Sequence, residues 1–495
     1  MTRARAMQAR RRRSRWRLVA GTALGLLLAG AGVAGVLAMM PGGLPSPGSG
    51  GVPAASATPG RAGIPGPTVT APAGSGAGTS QAAGGAVLPS AASNTSGGPS
   101  SAPLTSPVAI VAPPPAPPVD AATARVLQRA LEAARKSMVI PGVAATVILA
   151  DGRTWTGVAG DAVVATNTRV TPQTPFAIAS VTKTFTAALI LRLAEQGRLT
   201  IDDPLSRWLP DYPDAARITL RMLLQHTSGL ADFFQNPRFD AVLNKAKRHV
   251  WTPEAVLPYV AAPAFAPGKG WGYSNTNYVL LGLVAERAGG APWAEQIRQD
   301  FLVPLGLAST YVQGVGTPAV PPAHANVMFV GFGGKILPRD LSDGSTFVPF
   351  TSVATAAFSA GSIASTSGDL ARWAKALYGG DVLTPSSMAE MLTFDPKIEA
   401  YAALAYGLGV SRVKIDGRFV AYGHTGALDG TRASIRWLPK QDVSVAVVFN
   451  RDLFTGDDVV RYLVAALYPR ATPGASPGAS AAASLGASPA PTSAP

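Results

Sequence analysis

Between residues 41 and 119 the chain consists largely of Pro, Gly, Ser, Ala and Thr, with Arg61 as its only charge and no aromatic side chain. Such a stretch cannot bury enough apolar surface to offset the entropy of ordering it. It therefore confines any large fold to the residues that follow. As a flexible coil its 79 residues span about 50 Å r.m.s., which suits a tether. Residues 471–495 repeat the composition and are expected to be disordered as well. What lies between, residues 120–470, is long enough for one large domain or two coupled ones.

Ahead of the tether, residues 18–40 form a run of 23 residues without a charge or a proline. As a helix it would be about 35 Å long, enough to cross a hydrocarbon core. Residues 1–17 hold eight Arg and no acid, which places them in the cytoplasm by the positive-inside bias. The expectation is a signal anchor at 18–40, with a membrane as partner and the globular part held outside it. The alternative is a cleaved signal peptide, although Met39-Met40-Pro41 makes a poor cleavage site. The Arg cluster accounts for +8 of the net +14, and only +5 falls on the globular part and tail. That balance gives no nucleic-acid footprint. The chain has no Cys and four His without close ligand spacing, so the sequence points to no disulfide, thiol nucleophile, metal or cofactor.

The globular part opens with a helical pattern at 120–137. Strand-like runs follow at 142–150 and 153–159, joined by Asp151-Gly152, a hairpin signal. A buried helix is expected from about 180 to 196. Short helices and Pro/Gly-punctuated loops fill 200–350. Strand patterns return at 407–415, 418–423, 431–438 and 443–449, before a last helix near 457–468. Strands at both ends with a helical middle predict an α/β (α+β) domain. One antiparallel sheet would be built from both termini and flanked by helices, with a helical insert beside it.

Three segments carry chemistry. The first is Ser180-Val181-Thr182-Lys183, at the start of the buried helix. Residues i and i+3 share a helix face, which brings Lys183 under the Ser180 hydroxyl. A serine is a poor nucleophile until a base takes its proton, and burial lowers a lysine toward a useful pKa. The alternative role for Ser180 is a helix cap. A second match, Ser411-Arg412-Val413-Lys414, lies in a strand pattern, where i and i+3 face opposite sides. The second segment is Tyr273-Ser274-Asn275, the only YxN in the chain. A cation nearby would ease loss of the Tyr273 proton. Asn275 both donates and accepts, as a substrate amide requires. The alternative is a turn with a half-buried Tyr and an Asn cap. The third segment is His424-Thr425-Gly426-Ala427, at the end of a strand pattern. There the Ala427 N–H could complete an oxyanion hole with that of Ser180; the alternative is a plain glycine-rich strand end.

In order and character these motifs resemble the serine β-lactamase and penicillin-binding D-Ala-D-Ala carboxypeptidase superfamily. Within it, they resemble the branch shared by class C β-lactamases, Streptomyces-type DD-carboxypeptidases, D-aminopeptidases and related esterases. LLQHTSGL at 223–230, PGKGWGYSN at 267–275 and AGSIASTSGDLARW at 360–373 extend the likeness. The resemblance implies the β-lactamase/transpeptidase-like fold over 120–470. It implies Ser180 as the acylated nucleophile, Lys183 as base or relay, and Tyr273 as proton shuttle and activator of the deacylating water. Asn275 would bind the acyl amide, His424 and Thr425 would face the substrate from the strand, with Thr425 reaching a carboxylate, and Ala427 would donate to the oxyanion. The departure is His424, where most β-lactamases of this superfamily carry Lys. A His there can be neutral near pH 7, so carboxylate recognition weakens or needs help. Arg412 is the candidate helper, or else a surface residue. The expected function is a DD-carboxypeptidase-like or D-amino-acid peptidase acting outside the membrane on a small molecule or peptide, including a peptidoglycan stem peptide. The alternatives are an esterase, a weak β-lactamase, or a non-catalytic wall-binding module, which would predict a broken motif.

Overall fold

The computed structural model describes residues 114–315, 318–344, 348–402 and 405–470. The Arg-rich start, the apolar run expected to anchor the chain, nearly all of the tether and the tail lie outside the described residues. No described helix is long and apolar enough to cross a membrane.

Helix α1 spans Ala121–Ser137. It starts where it does because the Asp120 carboxylate accepts from the N–H groups of Ala122 and Thr123 at 3.0 and 2.9 Å, satisfying donors that the first turn leaves free. Strands β1 (Gly142–Ile148) and β2 (Thr154–Val163) form the expected hairpin, with Gly152 at φ +83° in its turn. Strand β3 is the short Thr168–Arg169. The chain then enters the helical region through α2 (Thr182–Glu195) and α3 (Asn275–Gly289) and leaves it through α4 (Ser367–Gly379). Strands β4 (Ala405–Tyr406), β5 (Ser411–Ile415), β6 (Phe419–Leu428), β7 (Thr431–Leu438) and β8 (Val443–Phe449) follow, and α5 (Gly456–Leu467) is the last described helix.

The eight strands make one antiparallel sheet in the order β3-β2-β1-β8-β7-β6-β5-β4. Its middle is the pairing of β1 with β8, from Val143 opposite Phe449 to Ile148 opposite Ser444. The two ends of the domain thus meet inside the sheet, as the strand pattern predicts. Both faces are covered, which is why β1 and β8 read as apolar runs without polar alternation. Val143, Ala145, Val147, Val445, Val447 and Phe449 pack on Leu127 and Leu131 of α1 and on Val460 and Leu463 of α5. The intervening Ala144, Ile148, Ala446 and Val448 pack on the helical region. There Phe185 of α2 stacks on Trp373 of α4 with ring centroids 3.9 Å apart. Each aliphatic side chain so buried contributes about 2 kcal/mol. Together they hold α2, which carries the functional lysine, rigidly against the sheet.

Two expectations need correction. The run at 407–415 is not one strand: β4 and β5 are separated by a turn in which Gly409 takes φ +72° and lies against α2, a Cβ there meeting that of Ala187 at 2.6 Å. The run at 418–423 does not stop there either. β6 continues to Leu428, so His424-Thr425-Gly426 sits inside a strand and not at its end.

Candidate active site

Ser180 lies in a single 3-10 turn, Ala179–Val181, that feeds into α2. Ala179 just before it takes φ +50°, a left-handed conformation that costs a non-glycine residue about 1–2 kcal/mol. Such strain gathers where function requires a fixed geometry. Ser180 caps neither the turn nor α2 with its side chain, so the capping alternative falls away. One turn on, the fully buried Lys183 donates to Ser180 Oγ at 3.1 Å, to Asn275 Oδ1 at 2.7 Å and to the Ala360 carbonyl at 2.8 Å. Burial brings the Lys183 pKa down to about 7, against the opposing pull of the Asp232 carboxylate. Near neutral pH the amine is therefore available in both forms. Uncharged, it has two N–H groups and one lone pair. The first two suffice for Asn275 and Ala360, which leaves the lone pair for the Ser180 hydroxyl.

Ser274 precedes α3 and Asn275 is its first residue. Ser180 is a polar neighbour of the Tyr273 phenol, and Lys183 Nζ stands 4.9 Å from the centre of the Tyr273 ring. The expectation that the neighbouring cation would ease loss of the phenol proton is overturned. Burial pushes the Tyr273 phenol above its ordinary value, and the nearby Ser180 offsets this only in part. In the resting site Tyr273 is a neutral hydroxyl. Asn275 accepts from Lys183 with Oδ1 and donates to Asp232 Oδ2 at 2.8 Å with Nδ2. One N–H and one lone pair of the amide are left over for a ligand.

Strand β6 comes against the Ser180 turn at Gly426. A Cβ at this position would stand 2.0 Å from the Ile178 carbonyl oxygen, so only glycine permits the approach. Beyond it β6 has an open side. β7 pairs with it from Tyr422 to Leu428, but β5 only from Phe419 to Gly423. Residues 424–428 therefore present one backbone edge without a strand partner, and Ala427 is exposed on it. His424 and Thr425 do not face one side, because successive strand residues alternate. His424 is buried, with its ring 6.3 Å from that of Tyr273, whereas Thr425 is half-exposed. Arg412, the candidate carboxylate holder, is not brought to the serine. Its guanidinium lies 4.7 Å from the Phe394 ring centre and 3.3 Å from Glu399. In the second SxxK match, Ser411 donates to the Gly423 carbonyl and accepts from Arg436, while Lys414 is exposed.

Sequence reasoning missed four participants. Asp232 caps a short 3-10 turn, accepts from the Phe234 N–H at 3.1 Å, and is held beside Asn275 because Thr276 binds the Ala231 carbonyl and the Phe233 N–H. Burial raises the Asp232 pKa. His226 lies under Tyr273 at a ring distance of 4.3 Å, and its Nδ1 meets the Ser274 N–H and the Asn277 amide at 3.3 and 3.0 Å. Ala360 supplies the carbonyl for Lys183. Tyr406 bonds His424. Within LLQHTSGL and AGSIASTSGDLARW, His226 and Ala360 were on view, but no spacing rule gave them a task. Among the described residues no group of three or more His, Asp or Glu is arranged to hold a metal ion.

A serine and a lysine one turn apart, met by a Tyr-x-Asn loop and an open strand edge, on a sheet made from both ends of the domain, are the site and fold of the serine β-lactamase/transpeptidase class. The chain belongs to the Beta-lactamase family, whose model matches residues 127–469. The D-stereospecific amidohydrolase from Streptomyces is 29% identical, with a TM-score of 0.58 over 70% of this chain and 98% of that one. The D-amino acid amidase from Ochrobactrum anthropi, 24% identical with a TM-score of 0.59 over 70% of this chain and 99% of its own, shares the fold. Penicillin-binding protein 4* of Bacillus subtilis is 32% identical over 243 residues, 47% of this chain and 51% of that protein. Esterase EstB of Burkholderia gladioli is 37% identical over 147 residues, 27% of this chain and 37% of the esterase. The chain thus spans about half or less of the length of these curated relatives.

Proposed function

We propose that this chain hydrolyses short peptides or amides of D-amino acids through an acyl-enzyme on Ser180, as a D-amino-acid peptidase or DD-carboxypeptidase-like enzyme. The observation that carries the proposal is the 3.1 Å contact of Ser180 with a buried lysine whose pKa burial brings to about 7. In acylation, Lys183 takes the Ser180 proton as Oγ attacks the substrate carbonyl. The bond from Oγ to carbon forms, and the oxyanion is met by the N–H groups of Ser180 and Ala427. Tyr273, beside Lys183, passes its hydroxyl proton to the leaving nitrogen and is reprotonated from Lys183, and the C–N bond breaks. Water then attacks the ester carbonyl and gives its proton through the same groups to Ser180 Oγ; the bond from carbon to Oγ breaks, the acid leaves and the serine hydroxyl is restored. The spare N–H and lone pair of Asn275 suit the acyl amide. Likeness to the Streptomyces amidohydrolase over 98% of its length supports the D-configured substrate. Likeness to EstB supports a second reading, ester hydrolysis by the same residues.

The test is labelling with a fluorescent penicillin and hydrolysis of D-alanyl-D-alanine peptides and p-nitrophenyl esters, comparing the chain with Ser180→Ala. Label and turnover that vanish in the variant are expected. Absence of both from the unaltered chain would sink the enzymatic reading. The proposal includes the sequence-based placement of the domain outside a membrane, on residues 18–40 and the tether. Protease digestion of intact cells should then remove the domain; full protection would refute that placement.

A further inference from the structure

We infer that Tyr406 and His424 together fit the strand edge beside Ser180 to substrates whose leaving group is uncharged, an amide or an ester, in preference to a leaving group that ends in a carboxylate. The inference rests on the acyl-enzyme reading above and narrows it to amide or ester substrates, away from a carboxypeptidase.

The tautomer of His424 follows from its two contacts. Nδ1 lies 2.5 Å from the Thr425 carbonyl oxygen, which can only accept, so Nδ1 carries the hydrogen. Nε2 then holds the lone pair, and the Tyr406 hydroxyl 2.9 Å away donates to it. Both ring nitrogens are used by neutral partners in a buried place. Burial first, and repulsion from Lys183 second, bring the His424 pKa down to about 3. The ring beside Tyr273 is thus uncharged.

The cations of the neighbouring strands are committed elsewhere. Arg412 on β5 is paired with Glu399 over Phe394. Lys414 stands opposite Val420, toward the far end of β6. On β7, Arg436 makes two bonds to Asp457 and one to Ser411, and Arg432 donates to the carbonyls of Leu428, Thr431 and Phe454. Among the described residues, the cations of β5 and β7 are thus not left to face a leaving group on the open edge, which itself carries backbone and the Thr425 hydroxyl. A carboxylate laid there would lose water without gaining a counter-charge, whereas an amide or ester end forgoes little. Tyr406 acts through His424 and is a positioning residue.

The experiment compares two substrates on the full chain, acetyl-D-alanyl-D-alanine and the same dipeptide with its C-terminus amidated. The expected result is a kcat/KM at least about tenfold higher for the amide, with the difference lying mainly in KM. Equal or better use of the free acid overturns the inference and leaves the acyl-enzyme reading standing. Turnover of neither substrate overturns both. His424→Lys is expected to raise the acid-to-amide ratio by about tenfold or more, and an unchanged ratio counts against the inference. For Tyr406, the readout is the ¹⁵N spectrum of His424. The unaltered chain should show a protonated Nδ1 and a bare Nε2, and Tyr406→Phe should move the Nε2 resonance. A protonated Nε2 in the unaltered chain contradicts the assignment.

Discussion

The Asn275 amide donates to Asp232 at 2.8 Å, and that bond decides which end of the amide Lys183 meets. With Nδ2 tied to the carboxylate, Oδ1 is turned to Lys183 Nζ, 2.7 Å away. Asp232 therefore acts on the lysine in two ways. It orients a neutral acceptor for it, and its charge holds the lysine pKa up against burial.

The two effects separate by mutation. If neutral Lys183 is the base, kcat/KM rises with pH through about 7, as Lys183 loses its proton. Asp232→Asn keeps an acceptor for Asn275 but removes the charge. A cation deprived of a nearby anion loses its proton more easily, so the acid limb should move to lower pH. Asp232→Leu removes the acceptor as well. There the Asn275 amide is free to rotate, and the plateau should fall by about tenfold or more. A pH–rate profile with an activated ester reads both. An acid limb unmoved in Asp232→Asn would remove Asp232 from the control of Lys183.

Much of this was legible in the sequence, and the parts that were not have separate physical causes. The sheet from two ends followed from strand patterns at 142–159 and 407–449, because apolar runs reveal strands whose faces are both covered. Ser180 and Lys183 were legible because their relation is local, one turn of one helix. Asp232 and Tyr406 were not. Each reaches its partner across a long stretch of chain, Asp232 to Asn275 and Tyr406 to His424, and no periodicity links residues that only packing brings together. The extent of β6 was misread because Gly423 and Gly426 look like a strand's end. One of them, Gly426, is instead the point where the strand touches the Ser180 turn. Tyr273 was misjudged because the sequence shows a cation nearby but not the burial that outweighs it.

Gly426 gives the second prediction. A methyl group there would stand 2.0 Å from the Ile178 carbonyl oxygen and 3.3 Å from Ala179 Cβ. Either β6 retreats or the Ser180 turn moves, and both change the distance from the open edge to the nucleophile. Gly426→Ala should slow acylation by about a hundredfold and lower stability by about 1–3 kcal/mol. The rate of covalent labelling and a urea titration check the two numbers. Labelling at the original rate would show that the contact between strand and turn does not set the geometry of the site.

The third prediction concerns Arg436, buried beneath the same strands. Its guanidinium makes two bonds to Asp457, at 2.8 and 2.7 Å, and a third to Ser411 at 3.0 Å. This occupies Ser411 structurally and explains why the second SxxK match carries no catalytic pair. It also ties β7 to the first turn of α5, where Asp457 meets the positive end of the helix. The Arg436 side chain is only 2% exposed and that of Asp457 19%, so removing one partner strands a charge away from water. Asp457→Ala should cost about 3–5 kcal/mol, read as a fall in the urea midpoint. The double variant Arg436→Met with Asp457→Ala should recover a large part of that loss, because the stranded cation goes with its partner. If the double variant were as unstable as the single one, the pair would owe its worth to mutual attraction, and the penalty of an unpaired buried arginine would not be the cause.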